Sequence, residues 1–139
     1  MRVRDEVINE LVQQWLERAQ EDFGVAQYLL KEGRYLNAVG FHSQQAAEKL
    51  LKALLVHHQI EFPKTHNIGE LLDLVGPANA SLAESLRGAT GLSRYGVQTR
   101  YPGDLAEMTI QAATLAVEQA VAVREAVYVT LGEPAPPSQ

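Results

Sequence analysis

Cysteine is absent from this chain of 139 residues. That removes disulfides, thiolate nucleophiles and any zinc site built on sulfur, and leaves four histidines and the carboxylates as metal ligands. Also missing is any run of roughly twenty apolar residues of the kind that spans a bilayer, and the opening MRVRDEVINELVQQW lacks the unbroken apolar core of a signal peptide. A soluble, cytoplasmic protein without membrane contact is expected. No segment alternates apolar and polar residues between turn formers, so no strand is expected. Without a strand leading into a glycine-rich turn, the phosphate cradles of Walker and dinucleotide-binding folds are excluded. Positive charge is in deficit too: 12 Lys plus Arg against 17 Asp plus Glu give a formal charge of -5, which argues against an extended phosphate-neutralising surface but leaves room for a local basic pocket.

What the chain does have is helical periodicity. At 46% hydrophobic content it fits one domain, able to bury roughly two thirds of its extended surface. From about Asp5 to Lys31, Val12, Trp15, Leu16, Ala19, Phe23, Ala26 and Leu30 recur at threes and fours, the spacing of an amphipathic helix closed by Gly33. A second helix should begin at Arg34 or Tyr35 and run to about His58, forming an antiparallel hairpin with the first. Pro63 prevents its continuation; Thr65, His66 and Asn67 then offer caps for a short helix through Ile68, Leu71, Leu72 and Val75. Ser81 with Glu84 resembles a capping box for a fourth helix through Leu82, Leu86 and Ala89, weakened by Gly88 and Gly91. Pro102 interrupts the next segment, and Asp104 reads as the cap of a last helix from about Leu105 to Leu131, with Leu105, Met108, Ala112, Leu115, Ala122, Ala126 and Val129 on its core side. The expected architecture is all-α: an up-and-down bundle of four main helices with an additional short helix over residues 1–132. Residues 133–139, EPAPPSQ, have nothing to bury and are expected to form a disordered, proline-rich tail.

The most informative stretch is QQAAEKLLKALL, Gln44 to Leu55. At about 100° per residue, Gln45, Glu48, Lys49 and Lys52 share a narrow sector while Ala46, Ala47, Leu50, Leu51 and Leu54 occupy much of the rest. A helix so broadly apolar packs on several sides, so its polar stripe faces a groove, a neighbouring helix or a partner. Glu48 and Lys52, four apart in the favourable order, can also simply pair. A second polar cluster, Arg94, Tyr95, Arg100 and Tyr101, surrounds the proline bend; arginine offers donors to a phosphate and tyrosine a stacking face to a base. Metal binding is not expected: adjacent His57 and His58 diverge on a helix, His42 stands alone, and Glu48 is followed three residues later by Leu51 where a di-metal bundle would place His. No cofactor is expected either.

At these same residues the chain resembles the prokaryotic HEPN domain family. The resemblance runs from about Trp15 to Leu131, through the helix WLERAQEDFGVAQYLLKEGRY, the Asn-Ala-Val-Gly-Phe entry, Gln-Gln-Ala-Ala-Glu-Lys, the Lys64-Thr65-His66-Asn67-Ile68 turn and Arg100-Tyr101-Pro102. It implies a bundle of four or five helices, frequent homodimers, and pairing with a minimal nucleotidyltransferase in toxin-antitoxin-like modules. Ribonucleases of the family carry an Arg followed by four to six residues and then His. Here Leu105, Ala106 and Glu107 stand at those positions after Arg100, and Val39, Gly40 and Phe41 after Arg34, with His42 one place too far. The missing His removes the obvious general base for attack by a ribose hydroxyl.

The expected function is therefore a noncatalytic nucleotide-binding and interaction module rather than an enzyme, acting as a homodimer beside a nucleotidyltransferase. Gln45, Glu48, Lys49, Lys52, His66, Arg100 and Tyr101 form its candidate nucleotide site, with Lys49 and Arg100 on phosphate, Tyr101 stacking and Glu48 orienting an arginine. Two alternatives are a metal-independent ribonuclease with a non-standard site, such as His42 or His66 with Arg100 supplied by the other subunit, and a substrate in which a tyrosine such as Tyr101 is adenylylated by the partner.

Overall fold

The computed structural model describes residues 3–96 and 107–137. Among them there is no strand, and the chain forms an all-helical bundle, as expected. Helix α1 spans Val3–Glu32, and its buried Val12, Leu16, Ala19, Phe23 and Ala26 recur at fours and threes. Asp5 and Glu6 in its first turn and Lys31 in its last complement the helix dipole. Gly33, at φ 69, takes the left-handed conformation that ends the helix, and Arg34 N donates back to Leu29 O at 3.2 Å. Two residues later the chain enters α2, Leu36–His57, through Tyr35, also left-handed at φ 55. This tight turn sets α1 and α2 antiparallel.

Helix α2 is the centre of the molecule, packed by α1, α5, α3 and the Arg87–Tyr95 segment. Thirteen of its residues are buried, from Val39 to Leu55, which is why its apolar arc is so broad. Helix α3, Ile68–Val75, is capped by Asn67, whose side chain accepts from Glu70 N at 3.1 Å. Helix α4, Ala80–Ser85, is capped by Asn79, which accepts from Leu82 N at 3.1 Å, and not by Ser81. The expected fourth helix does not continue as α-helix. After Leu86 the chain tightens into a 3-10 helix, Arg87–Tyr95, across the glycines that favour helix least, while Leu82, Leu86, Ala89 and Leu92 still bury as one stripe.

The last helix, α5, spans Ile110–Leu131. Its expected cap, Asp104, and first residue, Leu105, lie outside the described residues, but Glu107–Thr109 are not helical, and the cap is Thr109, which accepts from Ala112 N at 3.0 Å. Its core face also differs from expectation. Ala113, Ala116, Val117, Ala120, Val123, Val127 and Tyr128 are buried, whereas Ala122 is exposed, Leu115 is 53% exposed and Val129 80%. Both sides of α5 are apolar, so periodicity alone does not choose between them; packing chooses the alanine side because Ala120 lets Phe23 of α1 and Ala46 of α2 meet it closely. Gly132, at φ 73, ends the helix. Beyond it, Glu133 accepts from Gln13 Nε2 at 2.8 and 3.1 Å, and the Pro136 carbonyl accepts from Arg124.

Candidate functional site: two carboxylate-histidine pairs on the second helix

Counted at about 100° per residue, Gln44, Glu48, Phe41, Lys52, Gln45, Lys49 and His42 cover one arc of α2 about 160° wide. Tertiary structure divides this arc into two clusters, each organised by a buried carboxylate.

The first centres on Glu48, only 3% exposed. Its Oε1 accepts from Gln44 Nε2 at 3.0 Å and faces His66 Nδ1 at 2.8 Å, and its Oε2 accepts from Lys52 Nζ at 2.9 Å. Gln44 also donates to the His66 carbonyl at 2.9 Å and accepts from Gln45 at 2.7 Å, so the turn before α3 is pinned to α2. Burial pushes the Glu48 carboxyl up, but hydrogen bonds from Lys52, Gln44 and His66, with the charge of Lys52, outweigh it and hold the group below its ordinary range. Lys52 is 7% exposed, and its ammonium lies 5.5 Å from the Trp15 ring centre and 5.7 Å from that of Phe62. The expected Glu48 to Lys52 pair thus exists, but in the interior rather than on a solvated face.

The second cluster centres on Asp22 of α1, 8% exposed. One oxygen faces His42 Nδ1 at 2.7 Å and the other accepts from Lys49 Nζ at 2.5 Å. Sequence reading missed Asp22 and Gln44 and left His42 isolated. A signal for Asp22 was present: it stands seven residues after Trp15 and three after Ala19, on the buried stripe of α1, where a carboxylate needs a partner.

The two clusters therefore have the same composition: a buried carboxylate, a lysine, and a histidine held through Nδ1. A carboxylate at Nδ1 places the proton there and leaves Nε2 as the basic nitrogen. The His66 side chain is 69% exposed and that of His42 27%. Lys49, Gln45 and Phe41 are half-buried between them. Of the expected site residues, Gln45, Glu48, Lys49, Lys52 and His66 come together; Arg100 and Tyr101 lie outside the described residues. At Gly96 an added Cβ would stand 3.3 Å from the Gln44 side chain, and at Gly40 one would stand 2.5 Å from Met108 Cε. Among the described residues, no group of three His, Asp or Glu could hold a metal ion.

The HEPN domain model matches residues 12–130, and the chain belongs to that family. Two crystal structures are similar: that of ST0689, described as an archaeal HEPN homologue, at 28% identity and a TM-score of 0.67 over 86% of this chain and 97% of that one, and that of TT1696 from Thermus thermophilus, at 30% identity and a TM-score of 0.70 over 85% and 96%. A Methanocaldococcus jannaschii protein named "Putative toxin MJ1304" is 46% identical over 48 residues, 34% of this chain. The match spans 31% of that protein's own length.

Proposed function

We propose that this HEPN chain is a nucleotide-binding and interaction module of a toxin-antitoxin-like pair, acting beside a small nucleotidyltransferase in the cytoplasm. The observation that carries the reading is the row of half-buried His42, Gln45 and Lys49 on α2, backed by two buried carboxylates and bordered by the exposed imidazole of His66. Lys49 presents a cation to phosphate, Gln45 an amide to a base or sugar, and Phe41 an apolar face. Lys52 and Glu48 are the internal support: each neutralises the other, so their contribution is to hold Gln44 and His66 in place. Arg100 and Tyr101 join the site on the strength of the sequence motif. The relative named as a toxin supports the toxin-antitoxin context.

This reading asks only that the chain bind. Calorimetry against ATP, GTP and short RNA tests it, with Lys49→Ala and Arg100→Ala as controls. Binding weakened about tenfold by Lys49→Ala is expected, the worth of one charge-assisted hydrogen bond; no heat at millimolar ligand refutes nucleotide binding. Co-purification with the nucleotidyltransferase encoded beside it tests the partner, and mass spectrometry after co-expression reveals whether Tyr101 gains a nucleotide. A homodimer is part of the proposal, since α5 turns Leu115 and Val129 outward; a monomer by sedimentation at micromolar concentration would contradict it.

A further inference from the structure

Among the described residues four charged side chains are buried, and three of them face an opposite charge: Asp22 meets Lys49, and Glu48 and Lys52 meet each other. The fourth, Arg124 of α5, is 5% exposed and makes no ion pair among the described residues. Its guanidinium lies 4.8 Å from the ring centre of Phe23 and 5.7 Å from that of Tyr128. It donates from Nε to Gln20 Oε1 at 3.3 Å and from Nη2 to the Pro136 carbonyl. A buried cation is costly without acceptors, so Arg124 favours a groove between α1 and α5 that stays occupied.

What occupies this groove has the period of a polyproline II helix. Glu133 and Pro136 are half-buried while Pro134, Ala135 and Pro137 are exposed, and polyproline II repeats every three residues. The two inward positions are the two that bond: Glu133 accepts from Gln13, and Pro136 accepts from Arg124 beside Gln20. From Gln13 to Gln20, α1 rises about 10 Å; from Glu133 to Pro136, polyproline II rises about 9 Å. The two repeats therefore stay in register. Three prolines fix the backbone in advance and carry no amide hydrogen, so the segment has little conformational freedom to lose on docking and few donors to leave unpaired. Past Gln20, in the direction the segment runs, a cavity of about 420 Å³ lined by Gln20, Glu21, Gly24, Val25, Tyr28 and Leu29 gives a longer segment room to continue. We propose that the groove between α1 and α5 is a receptor for polyproline II segments, and that residues 133–137 are its resident ligand. A partner protein's proline-rich segment, carrying an acidic residue three places before the carbonyl that Arg124 holds, takes their place. Gln13 reads the acidic residue, Arg124 the carbonyl, and Phe23 and Tyr128 hold the guanidinium in position. None of these residues belongs to the polar row of α2, and the proposal does not depend on nucleotide binding.

The probe is a dye-labelled peptide, Gly-Glu-Pro-Ala-Pro-Pro, the sequence of residues 132–137, titrated by fluorescence anisotropy. The full chain carrying Glu133→Ala and Pro136→Gly, which loosen the resident segment and leave the groove intact, should bind it. Wild type should bind it at least about tenfold more weakly, because a tethered ligand competes at an effective concentration on the order of millimolar. Adding Gln13→Ala to the loosened chain should cost about tenfold in affinity, the worth of one hydrogen bond to a charged group. A peptide with its prolines replaced by glycine keeps the charge and should not bind. Docking of the resident segment is read separately in the full chain with Ala135→Cys, an exposed position and the one cysteine present, carrying a spin label. The label should move slowly, and should be released by Gln13→Ala or by millimolar unlabelled peptide. No binding of the peptide to the loosened chain, equal binding of the glycine peptide, or a label whose motion neither Gln13→Ala nor peptide changes overturns the proposal.

Discussion

Replacing Glu48 with Leu should cost about 3–5 kcal/mol, because it leaves the Lys52 ammonium buried without its counter-charge. Both side chains are more than nine tenths enclosed, and the carboxylate also serves Gln44 and His66, which lose their acceptor together. The rings of Trp15 and Phe62 give the stranded ammonium some compensation, on the order of 1 kcal/mol, which places the value nearer the lower end of the range. For a domain of this size such a loss lowers the melting temperature by about 10 °C. Lys52→Met should cost a similar amount. The double variant, with an apolar pair of similar volume in the same space, should recover most of the loss, so the cycle should give a coupling energy of roughly 2–4 kcal/mol. Urea unfolding followed by circular dichroism measures all four proteins. The chain has one tryptophan, Trp15, and it lies beside Lys52, so its fluorescence reports the same site directly. A Glu48→Leu variant within about 1 kcal/mol of wild type, or a double variant no better than the sum of the singles, would show that the carboxylate is not held by a buried cation.

Other predictions test different parts of the structure. Because Glu48 is held below its ordinary range, the unfolded chain binds a proton there first; its contribution is complete above about pH 4.3, the unperturbed value, and is lost as pH falls toward the folded value. Glu48→Gln should flatten that acid limb of the stability curve. Burial first and neighbouring His57 second hold His58 below its ordinary range, so stability should also fall as pH drops below about 6.5, and His58→Phe should remove that step. Thr109→Ala should cost about 1 kcal/mol by removing the cap of α5, measured by thermal unfolding. Gly40→Val should destabilise by more than the roughly 1 kcal/mol that leaving glycine would return, since even a Cβ at this position comes within 2.5 Å of Met108 Cε and 3.1 Å of the Tyr95 ring.

The helices and most of their breaks were legible in the sequence because they depend on neighbours within a turn: apolar spacing, Gly33 and Gly132 at the ends, Asn67 ahead of Ile68, and Glu48 four residues before Lys52. The boundaries that moved, the Asn79 cap and the start of α5, moved where two cap formers lay within a few residues and local chemistry did not rank them. The outward face of α5 was not legible, since an apolar residue every few positions on both sides gives no preferred direction until Phe23 and Ala46 claim the small-residue side. The candidate site was half legible. Its α2 residues declared themselves as a polar stripe on an apolar helix, but their partners stand 20, 27 and 18 positions away, at Asp22 and His66. No spacing rule spans such separations, because closing them depends on how α1 and the turn before α3 lie against α2. The sequence alone therefore established the set of helices and the polar stripe, while tertiary packing decided which carboxylate holds which histidine, because that depends on how α1 and the turn before α3 lie against α2.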